Sequence, residues 1–176
     1  MSLSFAGHEF AHAFSAHILG DDTAKNRGRM TLNPMAHIDI KGMIFLIILG
    51  FGWGKPVPVN PSNFDRLKSK KLSNAIVDLS GVFANFVMAL ISAIALMFIT
   101  KMYFTSGNMW LVLVSQFFEL MHAINIVLLG FNLIPIPPLD GFKVLGSFLP
   151  SSTYFKILQY ERYVMIVVLL LCLSGA

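Results

Sequence analysis

Two histidines and a glutamate share one turn of an otherwise apolar stretch near the start of the chain, FAGHEFAHAF at residues 5–14. On a helix, His8 and His12 lie one turn apart on the same face, with Glu9 about 100° from His8. Imidazoles at this spacing can bind a metal ion, and the carboxylate between them can accept a proton from an attacking water. The pattern predicts a zinc hydrolase site. The alternative, histidines hydrogen-bonded across helices, does not require Glu9.

Such a site needs a third protein ligand from another element. The chain has one cysteine, so a thiolate cluster is excluded and the ligand should be Asp, Glu or His. Asp140 is favoured because it follows the proline-rich IPIPP stretch and opens a short helix, whose dipole favours the ionised carboxylate. The candidates inside or beside apolar stretches are Asp78, Glu119, His122 and Asp140.

The composition indicates an integral membrane protein. Of 176 residues, 56% are apolar and 12% are charged, and the mean hydropathy is +0.71, whereas about a quarter of residues in soluble domains are charged. The length suits one domain, residues 1–176. The opening MSLSFAG lacks the features of a cleaved signal peptide, so the first span should remain in the mature protein.

Apolar stretches predict an all-α bundle of three core transmembrane helices and a fourth, at about residues 1–19, 73–99, 109–133 and 153–175. The first, at about 28 Å, nearly matches the hydrocarbon core. Residues 43–54, MIFLIILGFGWG, are too short to cross. They predict a re-entrant segment between the first two spans, which could be a β-hairpin with its backbone covered by protein.

The net charge of +4 could suggest nucleic-acid binding, but the basic residues are grouped beside the predicted spans. Nine of the 13 Lys and Arg residues lie at 21–72 and three more at 135–162. Such grouping is typical of the cytoplasmic side of a membrane protein, where basic loops contact lipid headgroups. We therefore expect loop 21–72 and Asp140 on the cytoplasmic side, with the lipid bilayer as a partner and no nucleic acid.

Two motifs together resemble the signature of the site-2 protease family of intramembrane zinc metalloproteases. HEFAHAF (8–14) matches its HExxH motif, and NLIPIPPLDG (132–141) matches NxxPxPxLDG. The stretches GRMTLNPMAHID (28–39) and FGWGKPVPVNP (51–61) further resemble compact members that carry no PDZ or CBS domain. The resemblance covers nearly the whole chain and implies a bacterial or archaeal cell membrane.

The resemblance implies one zinc ion per chain, with His8, His12 and Asp140 as ligands and Glu9 as the general base. It also gives supporting polar roles to Asn85 and Asn132. We treat these two, together with His37 and Gly52, as candidates for contact with substrate or with the oxyanion.

The chain departs from the family pattern in two places. Val82 follows Gly81 where the family usually has proline, which should straighten that helix. Seven residues precede His8, fewer than family members normally carry, so we expect trimmed termini.

The predicted function is hydrolysis of a peptide bond within or near a transmembrane segment of a membrane protein. The helical substrate must be unwound locally, and residues 43–54 could hold it extended through main-chain hydrogen bonds. One alternative is a catalytically inactive zinc-binding scaffold that captures transmembrane helices, against which the intact Glu9 argues. Another is a transporter, but no inverted repeat is visible. The oligomeric state is left open.

Overall fold

The computed structural model describes residues 1–49 and 52–174. Within them the chain forms eight α-helices, two short 3-10 turns and no strand, so the predicted all-helical class is confirmed. The 3-10 turns are Pro34–His37 and Pro61–Asn63. The helices are α1 Ser2–Ile18, α2 Thr23–Asn26, α3 Ile40–Leu49, α4 Lys70–Ser106, α5 Trp110–Leu133, α6 Asp140–Phe148, α7 Ser151–Leu158 and α8 Glu161–Ser174.

Helices α4 and α5 are, among the described residues, the two that are long and apolar enough to cross a membrane. With 37 residues, α4 is about 55 Å long and exceeds the hydrocarbon core of about 30 Å. Both helices expose large apolar side chains, as lipid-facing helices do. Among these are Phe83, Ile91, Met97, Leu113, Phe117 and Val127.

Helix α4 is central, since it packs against α1, α5 and α6. Its N-terminus is capped by Ser69, whose Oγ accepts a hydrogen bond from Leu72 N at 3.2 Å, and its C-terminus is followed by Gly107 with φ +65°. A positive φ favours glycine as the helix stop. Helix α1 has 17 residues, short of the roughly 20 of a typical span. The three-helix transmembrane core therefore stays a prediction.

In the segment predicted to be re-entrant, residues 43–49 belong to α3, and residues 52–54 have no regular secondary structure. Gly50 and Phe51 lie outside the described residues. The β-hairpin form is not confirmed. A continuous apolar run has no alternation of apolar and polar residues, so the sequence could not distinguish a strand from a helix here. A Cβ on Gly52 would lie 2.7 Å from Leu46 Cβ, so the chain after α3 returns against that helix. The re-entrant path itself stays a prediction.

The single helix expected over 153–175 is instead divided into α7 and α8 on either side of Gln159–Tyr160. Helix α8 has 14 residues, which is about 21 Å and less than the hydrocarbon thickness. A continuous fourth span is therefore not confirmed.

A small hydrophobic cluster ties the end of α1 to the start of α4 and to the loop between them. It contains Ala16, Leu19, Phe64 and Val77, with Val59 packed against it. Since burying such side chains removes apolar area from water, the cluster fixes the loop beside the polar face of α1.

Candidate metal centre and active site

The structure brings His8, His12 and Asp140 together. The Nε2 atoms of the two histidines lie 3.0 Å apart, and they lie 3.0 and 3.1 Å from Asp140 Oδ2. All three side chains are buried, as is Glu9. The donor atoms lie within 4.8 Å of one another, close enough to hold one metal ion.

Asp140 reaches the histidines because α6 starts directly after the proline-rich turn that ends α5. The turn is closed by Leu139 N donating to Ile136 O at 3.0 Å. A Cβ on Gly141 would lie 2.7 Å from the backbone carbon of Leu133, so glycine lets the start of α6 pack on the end of α5.

Each histidine has an acceptor behind it that fixes its tautomer. His8 Nδ1 lies 2.6 Å from Asn85 Oδ1, and His12 Nδ1 lies 2.7 Å from the carbonyl oxygen of Val77. Amide and carbonyl oxygens only accept hydrogen bonds, so both rings carry their proton on Nδ1. In its neutral form, each ring therefore presents an unprotonated Nε2 to Asp140.

This arrangement fits a zinc ion. With both rings neutral, two imidazole lone pairs and a carboxylate oxygen converge, so a cation held among them would relieve their mutual repulsion. Two nitrogens and one oxygen are a usual protein ligand set for catalytic zinc, and second-shell acceptors on the histidines are typical of such sites.

Asn85 belongs to a buried polar network that joins α4, α5 and α1. Its Nδ2 donates to Asn125 Oδ1 at 2.8 Å, and Asn125 Nδ2 donates to Ser4 Oγ at 3.0 Å. All three side chains are fully buried. Because both polar atoms of the Asn85 amide are engaged, the geometry favours orientation of His8, while substrate or oxyanion contact stays a prediction.

Gly81 lies one turn before Asn85 and lets α4 approach the face of α1 that carries His8 and His12. A Cβ at this position would lie 2.6 Å from His8 Cε1 and 2.7 Å from His12 Cε1. The next residue, Val82, is buried, and α4 is continuous through it.

Lys143 is a functional candidate that the sequence analysis missed. Its Nζ donates to Asp140 Oδ1 at 2.8 Å, leaving Oδ2 toward the histidines. Its side chain is partly exposed and lines an open cavity of about 430 Å³ that also contains Asp78 and Tyr154. The i, i+3 spacing of Asp140 and Lys143 on one helix was the signal for this pair.

Glu9 contacts the loop before α4. Its Oε2 accepts a hydrogen bond from Val57 N at 2.7 Å. Val57 lies in the segment 55–60, KPVPVN, which has no regular secondary structure. Arg29 and Asp21 also form hydrogen bonds with backbone atoms of this segment. Residue types alone could not predict these contacts, because the partner atoms on the segment belong to the backbone.

The remaining predicted site residues lie elsewhere. His37 is buried, with Nε2 donating to Thr31 O at 2.8 Å, and Asn132 Nδ2 donates to Leu128 O within α5 at 3.1 Å. No hydrogen bond or ion pair among the described residues joins these two or Gly52 to the His8, His12 and Asp140 cluster. Their substrate roles stay predictions.

Of the other third-ligand candidates, His122 donates from Nδ1 to Ala89 O at 2.9 Å and so joins α5 to α4. Glu119 is exposed on α5. Neither is grouped with His8 and His12 in the described part of the chain.

Comparison with known proteins decides the family. The model described as Peptidase family M50 matches residues 1–175. The chain belongs to peptidase family M50. This M50 protein is 38% identical over 169 residues to "Putative zinc metalloprotease YwhC" of Bacillus subtilis, covering 96% of the chain and 76% of that relative. It is 29% identical over 177 residues to "Putative zinc metalloprotease Rip2" of Mycolicibacterium smegmatis, covering 99% and 65%. No solved structure matches.

The resemblance to site-2 proteases is thereby confirmed, and this M50 protein is a metallopeptidase with a zinc cofactor. The family is membrane-embedded, which agrees with the apolar α4 and α5. The inactive scaffold is not favoured by relatives that are named metalloproteases.

Proposed function

We propose that this M50 peptidase hydrolyses a peptide bond within or near a transmembrane segment of a membrane protein. In this proposal His8, His12 and Asp140 hold the zinc and Glu9 is the general base. The observation that carries it is the convergence of the two Nε2 atoms on Asp140 Oδ2 beside the buried Glu9. The apolar surfaces of α4 and α5 support a substrate that approaches through lipid.

Zinc, when bound, supplies a Lewis acid that polarises the scissile carbonyl and promotes ionisation of water. Glu9 accepts the proton of the attacking water while the new C–O bond forms. It then delivers this proton to the amide nitrogen as the C–N bond breaks, which releases an amine and a carboxylic acid. Asn85 and Val77 keep the Nδ1 protons of the histidines away from the reacting atoms.

We place α1, α4 and α5 across the cell membrane, with loop 21–72 and Asp140 at the cytoplasmic side. The grouping of basic residues supports this orientation. A helical substrate hides its peptide bonds, so it has to be extended locally before cleavage.

The test compares wild type with Glu9→Gln in detergent, measuring bound zinc by mass spectrometry and cleavage of a model transmembrane peptide. We expect one zinc per chain in both proteins and a cleavage rate at least about 100-fold lower in the variant. Glu119→Gln, on the exposed side of α5, is the matched control and should cleave normally.

Equal cleavage by wild type and Glu9→Gln would remove Glu9 as the base. Zinc binding without cleavage by wild type would support the scaffold instead. Faster cleavage of water-soluble peptides than of transmembrane peptides would contradict the proposed substrate class.

A further inference from the structure

We propose that the backbone N–H of Val57 positions the general base Glu9, and that Arg29 and Asp21 hold the segment 55–60 in place for this purpose. The inference rests on the proposed role of Glu9. It accounts for two buried charged residues, Arg29 and Asp21, that the zinc site itself does not use.

The central contact is the hydrogen bond of 2.7 Å from Val57 N to Glu9 Oε2. A bond from an N–H to a carboxylate is stronger than one between neutral groups. Glu9 is 6% exposed, so little water competes for this oxygen.

The sequence KPVPVN presets the direction of this donor. Pro56 and Pro58 have no N–H and fix their own φ angles. A residue before proline is restricted to extended backbone, and this applies to both Lys55 and Val57. The segment therefore presents the Val57 N–H from a stiff, extended stretch.

The buried Arg29 side chain and the backbone of His37 hold one end of the segment. Arg29 Nη2 donates to Lys55 O at 2.6 Å, and Lys55 N donates to His37 O at 2.9 Å. Arg29 is 8% exposed, and a buried charge is costly unless it is hydrogen-bonded. Its guanidinium hydrogen-bonds the backbone of this segment.

Asp21 holds the other end. Its Oδ2 accepts from Asn60 N at 2.6 Å, and its Oδ1 accepts from Asn63 Nδ2 at 2.7 Å. Asp21 is fully buried just after α1, so it links the helix that carries Glu9 to the segment that contacts Glu9. Val57 is thus held between two anchors.

A glutamate has three rotatable side-chain bonds and can swing its carboxylate away from the substrate. A catalytic group displaced by about 1 Å can lose roughly 100-fold in rate. Loss of the Val57 donor should therefore lower kcat, while KM and bound zinc stay near wild-type values, because neither substrate affinity nor the metal ligands are altered.

The first test uses Val57→Pro, which suits an extended backbone and replaces the hydrogen of the N–H with a ring carbon, so that Glu9 Oε2 loses its donor and cannot lie at 2.7 Å from this nitrogen. Val57→Ala is the matched control that keeps the N–H. Using the transmembrane-peptide assay, we expect kcat about 10- to 100-fold lower in Val57→Pro and near wild type in Val57→Ala. In a Glu9→Gln background, Val57→Pro should cause no further loss, since coupled residues are not additive.

Three results would overturn the inference. They are wild-type kcat in Val57→Pro, an equal loss in Val57→Ala, and a faster Val57→Pro, which would mean that the N–H blocks Glu9. Each leaves the proposed function intact as long as wild type cleaves and Glu9→Gln does not.

The second test does not depend on cleavage or on the folding of Val57→Pro. In protein labelled with ¹⁵N-valine and held in detergent micelles, the Val57 amide signal is identified by its loss in Val57→Ala. We expect the chemical shift of this amide signal to change in Glu9→Gln and to stay at its wild-type value in Glu119→Gln. An unmoved signal in Glu9→Gln overturns the inference, whereas absent cleavage with a moved signal overturns only the proposed function.

Discussion

The Nε2 atoms of His8 and His12 lie 3.0 Å apart, and the acceptors behind Nδ1 leave both Nε2 atoms unprotonated when the rings are neutral. Two lone pairs at this distance repel each other, and Asp140 Oδ2 adds a third acceptor. We therefore expect a bound cation to stabilise the folded site.

Removal of zinc should destabilise the protein. Binding to the folded state alone contributes about 4 kcal/mol when free zinc exceeds its Kd 1,000-fold. We expect a chelator to lower the thermal midpoint in detergent, measured by circular dichroism, and added zinc to restore it. The thermal midpoint of Asp140→Asn should change much less on addition of the chelator or of zinc. An unchanged midpoint in wild type whose zinc has been removed would contradict this dependence.

Substitution of Asn85 should weaken zinc binding. Asn85→Ala removes the acceptor behind His8 Nδ1, and loss of such a second-shell partner typically lowers metal affinity about 10- to 100-fold. Zinc affinity is measured by competition with a chelating dye. Ser92→Ala is the control, because Ser92 is buried on the same helix but bonds only Met88 O of that helix. A similar loss in both variants would indicate general destabilisation.

Gly81→Ala should disrupt the site by steric conflict. Its Cβ would lie 2.6 Å from His8 Cε1, so a ring or α4 must shift, and we expect loss of both zinc and cleavage. Gly130→Ala is the control, since a Cβ there meets no atom within 4 Å and alanine is favoured over glycine in helices by about 1 kcal/mol. Zinc content and cleavage are measured for both. Normal zinc binding in Gly81→Ala would contradict this prediction and would show that α1 and α4 can move apart enough to accommodate the Cβ.

The grouping of His8, His12 and Asp140 could be predicted from the sequence, because polar residues in or beside apolar stretches are costly and their signals are short-range. Their role as metal ligands stays a prediction. His8, Glu9 and His12 lie within one helical turn, and Asp140 is an acidic residue directly after a proline cluster. Their grouping in space follows from the packing of α1 and α6 against α4.

Other features depended on tertiary structure. The hydrogen bond from Val57 N to Glu9 joins residues 48 positions apart and involves a backbone atom, so no side-chain pattern indicates it. Asn125 joins Asn85 of α4 to Ser4 of α1 through side-chain hydrogen bonds between residues that are far apart in sequence. The apolar run at 43–49 fits helix and strand equally well as a sequence, and the structure makes it part of α3.

The last prediction concerns acid stability and Asp21. Burial acts to raise the pKa of this carboxyl, but the hydrogen bonds from Asn60 N, Thr23 and Asn63 together hold its pKa below the usual value. A lowered folded-state pKa means that the folded protein binds this proton less readily than the unfolded chain. The stabilisation is therefore fully present above the unfolded pKa of about 4 and is lost as pH falls through the folded pKa.

We expect wild type to be more stable than Asp21→Asn near neutral pH, with the difference shrinking below about pH 4. Denaturant unfolding in detergent at a series of pH values measures this difference. Asp65→Asn is the control because the Asp65 side chain is 69% exposed and pairs only with the equally exposed Arg66. Since Asp21 also anchors the segment that contacts Glu9, Asp21→Asn should lower kcat at neutral pH as well. A stability difference that is constant from neutral to acid pH would show that the Asp21 charge does not hold the segment.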